Sequence, residues 1–454
     1  MTALIIAAAL GLLVVGLTAR RPSLGCAAMA LAVPLTAGIG RDTLIPLLRP
    51  SEAIVLAVLA GVVINRIWRP RPLLFTGLDL AVLVFALGSV LIPVVVVLIA
   101  RIRADLDTWR TVISPIQYLA VYFVVSRSEP SPRVTRLILN LMMLASVVVA
   151  AVAVAELLAP DVRTAVSAYY ETPVLPSWDP VYRPTSLLGH FSAVGAFGLM
   201  SCTLALALAA TRAPGFNSLW LSLVMLINVV SLLVSETWAP LVCLPAVLAL
   251  VLIYCRRVPP QLWLVLGVLV ASAILLWPFL SGRVDQQQLL SSNGLAIPET
   301  MQSRIRYWQE FFLPAAADNV WWGSATTIPS MVPERISTFV DNEYLYAVFR
   351  AGLPGVGLLL GIFGAVGLAA WRERFHADFS VRALGGVCLA TVIALALMGA
   401  TSEYLTFGAV SQLFWMQVGL LAAVRGSAAL PSRISVVRAG LSGVGRPSLA
   451  LTHG

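Results

Sequence analysis

Residues 182–190 place an arginine and a histidine together at the start of a long apolar run. Tyr182, Arg183 and His190 lie here, and the run begins at Phe191. A guanidinium binds a phosphate through two parallel hydrogen bonds and keeps its charge. The alternatives are an Arg183 that anchors a helix end at a membrane surface and a His190 with a structural hydrogen bond. We expect Arg183, beside Tyr182, to bind an anionic substrate, and His190 is a candidate base.

A second group lies in residues 303–310, whose pattern predicts a short amphipathic helix. At helical spacing Arg304 and Trp308 share one face, whereas Arg306 and Glu310 share another. Arg306 therefore has a structural explanation as half of an ion pair, and Arg304 has no such partner within the segment. We expect Arg304 to be the stronger ligand for an anionic substrate, with Arg306 as the weaker one and Trp308 as a surface for a sugar.

Acidic residues form a third group, around the start of a predicted helix. Asp341 and Asn342 come directly before it. Asp341 can cap this helix by accepting hydrogen bonds from its first amides, or it can act as a general base on an acceptor hydroxyl. Carboxylates near the other helix ends on the same side make an acidic cluster a further candidate site. These are Glu236, Glu343 and Glu403.

The third group resembles the signature of the O-antigen ligase and polymerase family. That signature has His, then Asn, Ser or Gln, then nine residues, Gly, two residues and a small residue. Asp341 and Asn342 are followed by Gly352 and Gly355 at the same spacing. Arg183 with the leucine four positions later is similar to the family's Arg, three residues, Leu motif.

The resemblance extends to the long loop between residues 281 and 340. Arg304 and Trp308 are similar to the family's Arg-x-x-x-Trp, and residues 322–325 resemble its Gly-x-Gly turn. Two positions depart from the family: Asp341 stands where most members have His, and Glu236 stands where many have Arg. Glu236 and His190 are therefore candidates to share or replace the role of the base.

The resemblance implies an inverting, metal-independent glycosyltransferase with no cofactor. Such enzymes transfer a glycan from a polyprenyl-pyrophosphate carrier to a hydroxyl of a glycan, lipid or protein, on the outer face of the bacterial cytoplasmic membrane. Arg183 and Arg304 would then hold the pyrophosphate, with Asn342 in the same substrate site, and Asp341 would be the base.

The composition predicts the elements that position these residues. Of 454 residues 59% are hydrophobic and 11% charged, with a mean hydropathy of +0.92, which excludes a water-soluble globule. Long apolar runs predict an all-α, polytopic membrane protein of about 12 to 13 helices. The family resemblance implies that its architecture is GT-C-like. We place the helices near 3–19, 24–39, 52–67, 78–100, 111–125, 136–158, 191–211, 217–236, 238–254, 261–280, 344–370, 382–400 and 402–424.

The charge pattern predicts the orientation. The net charge is +9 and every basic residue is Arg; most arginines fall on short connections of one side, which is typical of the cytoplasmic side and does not indicate nucleic-acid binding. Residues 1–424 then form one transmembrane domain with extracytoplasmic loops 160–190 and 281–340. Residues 425–454 are expected to be a disordered cytoplasmic tail.

Two other functions stay open at this point. A transporter or flippase of lipid-linked sugars would use arginines along a path, although most charged residues here fall at helix ends. A catalytically inactive relative is consistent with the Asp at position 341. The five cysteines form no CxxC pair, so no metal site is predicted.

Overall fold

The computed structural model describes residues 2–70, 75–102, 104–171, 182–275, 277–278, 281, 289–292, 295–325 and 340–442. Parts of both predicted loops, residues 172–181 and 326–339, lie outside this set. The described chain is helical apart from a short antiparallel hairpin of β1 (Leu289–Ser292) and β2 (Leu295–Pro298). The predicted all-α class is therefore confirmed.

The helices before the hairpin follow the predicted apolar runs closely, except for α5 and α6 and for α8, which lies in the predicted loop 160–190. Their bounds are α1 (Thr2–Arg20), α2 (Pro22–Thr36), α3 (Pro50–Trp68), α4 (Gly77–Ile99), α5 (Leu106–Ile113), α6 (Ile116–Ser126), α7 (Pro132–Leu158), α8 (Pro160–Ser167), α9 (Phe191–Ala210), α10 (Ser218–Val234), α11 (Trp238–Cys255) and α12 (Gln261–Leu275).

The second part of the chain begins with short loop helices and ends with long ones. It contains α13 (Glu299–Tyr307), a π-helical turn (Trp308–Phe312), α14 (Leu313–Ala317), α15 (Glu343–Arg372), α16 (Phe379–Met398) and α17 (Gly408–Ser442). The backbone of α17 continues beyond Arg425, where we predicted a disordered tail to begin. Residues 443–454 lie outside the described part.

Seven of the described helices are long and apolar enough to cross a membrane, namely α3, α4, α7, α9, α11, α15 and α16. Shorter apolar helices of 10–17 residues lie within α1, α2, α10 and α12. The protein is thus a polytopic helical membrane protein. The predicted number of 12 to 13 spans stays a prediction.

One predicted span differs from the structure. In place of a single helix over 111–125, the chain forms α5 and α6, which are separated at Ser114 and Pro115. A proline lacks the amide hydrogen and its ring clashes with the carbonyl four residues earlier, so it ends or kinks a helix. The apolar pattern continued across Pro115 and hid this break.

Helix α9 is the centre of the bundle. Every residue from Ser192 to Ala210 is buried, and α7, α10, α11, α16 and α17 pack around it. Small residues permit this close approach: a Cβ at Gly198 would lie 3.2 Å from the carbonyl oxygen of Asn228. The start of this central helix fixes the position of His190 and of the segment before it.

Candidate functional site

Several connecting segments meet at one end of the bundle, which we call the site end. The ring of Phe407 stacks on His190 with 4.6 Å between centroids. The hydroxyl of Thr237 lies 3.4 Å from the carbonyl oxygen of Phe191. These contacts bring two separate connections to the start of α9. The segments of the site end are 182–190, 235–237, 340–343 and 399–407.

Helix α13 places its predicted face against one of these segments. Arg304 Nε donates to Asp341 Oδ2 over 3.1 Å, and Trp308 Nε1 donates to the carbonyl of Val340 over 2.8 Å. Both side chains of the pair are about one third exposed, at 33% and 34%. The structure thus joins the strongest predicted anion ligand to the predicted base.

Asn342, and not Asp341, caps helix α15. The Asn342 side chain accepts hydrogen bonds from the amides of Tyr344 and Leu345, each over 3.0 Å. The capping explanation for Asp341 is therefore wrong. Asp341 has a left-handed backbone with φ +55°, which turns the chain just before the cap. Asn342, a predicted substrate ligand, has a structural role in this position.

Two buried carboxylates lie beneath Asp341. Glu403 Oε1 accepts the backbone N–H of Asp341 over 2.9 Å, and Glu343 Oε2 accepts that of Leu405 over 3.0 Å. Burial, and after it the negative charge of Asp341, raises the pKa of Glu403 to about 7. Of the predicted acidic cluster, Glu343 and Glu403 thus lie next to the predicted base.

The segment before α9 is held by a glutamate of α7. Glu156 Oε2 accepts from the hydroxyl of Tyr182 over 2.7 Å and from the amide of Thr185 over 3.1 Å. The Arg163 guanidinium covers the Tyr182 ring at 3.6 Å from its centroid. Tyr182, a predicted substrate residue, therefore helps to order the segment that carries Arg183. Sequence reasoning missed Glu156, whose signal was a carboxylate inside an apolar run.

Arg183 and His190 come together at the start of α9. The Arg183 guanidinium lies over the Phe191 ring, 3.5 Å from its centroid. His190 caps α9, because its Nδ1 accepts the amide of Ser192 over 3.1 Å. Burial lowers the pKa of His190 to about 3, and the positive charges of Arg183 and Arg304 add to this effect. A neutral imidazole with so low a pKa is a weak proton acceptor.

The other two candidates lie less centrally. Glu236 is buried in the turn between α10 and α11, with φ +48°. Its role as a base stays a prediction. Arg306 is exposed, and within the described residues no ion pair joins it to Glu310. The π-helical turn at Trp308 interrupts the regular spacing from which we predicted that pair.

The long loop docks on a break in α15. Ala351 and Gly352 have non-helical backbone angles, and Gly352 has φ +63°. The amide of Leu353 donates to the carbonyl oxygen of Val320 over 2.8 Å, and the amide of Ser324 donates to the carbonyl oxygen of Phe349 over 2.7 Å. Backbone groups released by the break are thereby satisfied by the loop, which ties α13 and α14 to the site end.

A buried arginine fixes the same helix from its other side. Arg350 donates to the carbonyl of Ser89 over 3.2 Å and to that of Val112 over 2.6 Å. It therefore joins α15 to α4 and α5. We did not predict this role, although an arginine inside an apolar run is a signal for a buried polar partner.

No protein-family model matches the chain, and the comparison with curated proteins finds no significant match. The function must therefore be argued from the residues of the site end.

Proposed function

We propose that this protein is an inverting, metal-independent glycosyltransferase that resembles the O-antigen ligases and polymerases and has a GT-C-like architecture. It transfers a glycan from a polyprenyl-pyrophosphate carrier to a hydroxyl of an envelope glycan, lipid or protein. The site end faces the extracytoplasmic side of a bacterial cytoplasmic membrane, where the long loop meets the lipid-linked donor.

The observation that carries this proposal is the contact between Arg304 and Asp341. It brings a guanidinium and a carboxylate together from two positions 37 residues apart in the chain, which supports roles as anion ligand and proton acceptor. Arg183 lies close enough for its charge, like that of Arg304, to lower the pKa of His190. Two guanidinium groups and a carboxylate therefore share a partly exposed region at one end of a membrane bundle.

The chemistry of glycan transfer uses such an arrangement directly. As the bond between the sugar and the phosphate breaks, negative charge grows on the leaving pyrophosphate, and fixed guanidinium groups stabilise it. The attacking hydroxyl must lose its proton, which Asp341 accepts. Arg304 holds Asp341 through Nε. The two terminal nitrogens of Arg304 make no hydrogen bond to the described residues, so they can bind a phosphate.

The test is donor turnover by purified protein in lipid nanodiscs, with chelator present. Undecaprenyl-pyrophosphate glycans and candidate acceptors are supplied, and released undecaprenyl pyrophosphate is measured. We expect release by the wild type and a loss of about a hundredfold or more in Asp341→Asn, because the amide cannot accept the proton. The control is Asp161→Asn, an exposed carboxylate of α8.

The outcomes separate the remaining functions. Donor that crosses the bilayer of a vesicle without release would identify a flippase and overturn the proposal. Donor that binds without release or movement would identify an inactive relative. Full release by Asp341→Asn would move the base to Glu236 or another carboxylate.

A further inference from the structure

Glu403 is the least solvated carboxylate in contact with the segment of the proposed base. Only 3% of the surface of Glu403 is exposed to solvent. Oε1 is bound by the Asp341 amide, while Oε2 is buried and, within the described residues, has no hydrogen-bond partner. A buried carboxylate oxygen without a donor is costly in the ionised state. The fold therefore keeps a proton acceptor in an environment that favours its protonated form.

The groups around Glu403 explain this environment. The negative charges of Asp341 and Glu343 interact with Glu403, while Arg350 acts on Glu343 and Arg304 acts on Tyr404. The phenol of Tyr346 also interacts electrostatically with Glu403, and the phenol of Tyr404 follows it in the chain.

The carboxylate of Asp341 is already engaged by another group. Its Oδ2 accepts the hydrogen bond from Arg304 Nε over 3.1 Å. It is also partly exposed, whereas Glu403 beside it is buried. Glu403 therefore offers a buried oxygen, Oε2, that has no hydrogen-bond donor among the described residues.

We propose that Asp341 and Glu403 act as one carboxylate pair, in which Glu403 receives the proton that Asp341 removes from the acceptor hydroxyl. This inference rests on the proposed function. The acceptor oxygen forms the new bond to the anomeric carbon as the bond from that carbon to phosphate breaks, and the electron pair leaves with the pyrophosphate. The proton ends on Glu403 and returns to solvent after the product leaves.

The experiment compares pH profiles of donor turnover for the wild type, Glu403→Gln and Glu403→Asp in nanodiscs. Gln keeps an oxygen for the Asp341 amide but cannot take up a proton. We expect wild-type turnover to rise as pH increases through about 7, where Glu403 becomes ionised. Glu403→Gln should lose this rise and about tenfold to a hundredfold in turnover, with little change in the KM for donor. Glu403→Asp should restore part of both.

A matched control separates proton uptake from packing. Glu343→Gln removes the neighbouring buried carboxylate, whose oxygen accepts from Leu405 and not from Asp341. This variant should keep a rise of turnover with pH, moved to lower pH because a neighbouring negative charge is lost. An unchanged profile and turnover in Glu403→Gln would overturn the pair while leaving the transferase intact. If Glu403→Gln and Glu403→Asp lose turnover equally and both keep the rise of turnover with pH, Glu403 is a purely structural residue. Inactive wild type would instead overturn the proposed function.

Discussion

At the residue scale, Arg304 connects the two halves of the proposed reaction. Its Nε donates a hydrogen bond to Asp341. The two terminal nitrogens lie in the same rigid plane as Nε, so one side chain can hold both the base and a phosphate. A lysine carries the same charge on a single flexible atom and cannot make both contacts in fixed geometry. The requirement is therefore for a guanidinium and not only for positive charge.

We predict that Arg304→Lys lowers donor turnover by about a hundredfold, comparable to the loss of one charge-stabilising donor in other enzymes. Arg306→Lys provides the comparison, because Arg306 lies on the same helix but is exposed. The loss of turnover in Arg306→Lys should be smaller by about tenfold or more. The measurement is turnover of undecaprenyl-pyrophosphate glycan at saturating acceptor. Equal losses in the two variants would show that α13 contributes only a diffuse positive field.

The buried state of Glu403 predicts how stability changes with pH. Its pKa is raised from 4.5 to about 7 in the folded protein. Its contribution to the free energy of unfolding is therefore fully present below pH 4.5 and is lost as pH rises through 7. The loss amounts to about 3 kcal/mol. Relative to wild type, the Tm of Glu403→Gln should therefore increase from pH 4.5 to 7 and level off above it. A constant difference, measured by thermal unfolding in detergent, would show that Glu403 is not desolvated.

At the element scale, the helix bounds were predictable and the interruptions were not. Apolar runs ended by Arg, Pro or Gly predicted α4, α9 and α11 to within a few residues, because span length is set by the membrane. The break at Pro115 and the break at Gly352 lie inside apolar runs. Their signals are single residues whose effect depends on what packs against them.

The junction between α15 and the long loop gives the element-scale prediction. A Cβ on Gly352 would overlap the backbone of Trp321, and its φ of +63° strains any other residue. Gly352→Ala should therefore destabilise the protein by about 2 kcal/mol and release the loop. Gly364→Ala is the matched control on the same helix, since a Cβ there meets nothing within 4 Å and alanine favours the helix.

Thermal unfolding and limited proteolysis of the loop check this prediction. The control should be neutral or more stable, with a protected loop. A Gly352→Ala variant with wild-type Tm and a protected loop would show that the contact between residues 320–324 and the break is not needed for docking.

At the scale of the whole molecule, the arrangement of the site could be predicted only in part. The helical spacing put Arg304 and Trp308 on one face, and the family resemblance implied a common site with Asp341. The contacts of both side chains with residues 340–341 agree with that expectation. Glu403 was predicted as a member of an acidic cluster on the same side, but its hydrogen bond to the Asp341 amide could not be inferred. Glu403 follows Asp341 by more than 60 residues and reaches it through the return of the chain after α16. Such long-range contacts depend on how helices pack, which local patterns do not specify.

The arginines at the other end of the bundle predict how the molecule lies in the membrane. There Arg66 donates to the Arg127 carbonyl over 3.0 Å, and Arg425 pairs with Glu373 over 2.8 Å. These contacts join α3 to α6 and α15 to α17. Some arginines at this end therefore have a structural role in helix packing. The excess of arginine on short connections still predicts that this end is cytoplasmic.

A lipid-linked donor on the outer leaflet requires the site end to face outward, so orientation tests the whole scheme. With Cys255 replaced by Ser, since the other cysteines are buried, we predict that Glu310→Cys reacts with an impermeant maleimide in intact cells. Ala377→Cys, exposed between α15 and α16, should react only after permeabilisation. The reverse pattern would put the Arg304 and Asp341 pair in the cytoplasm, where a site for a donor on the outer leaflet has no substrate.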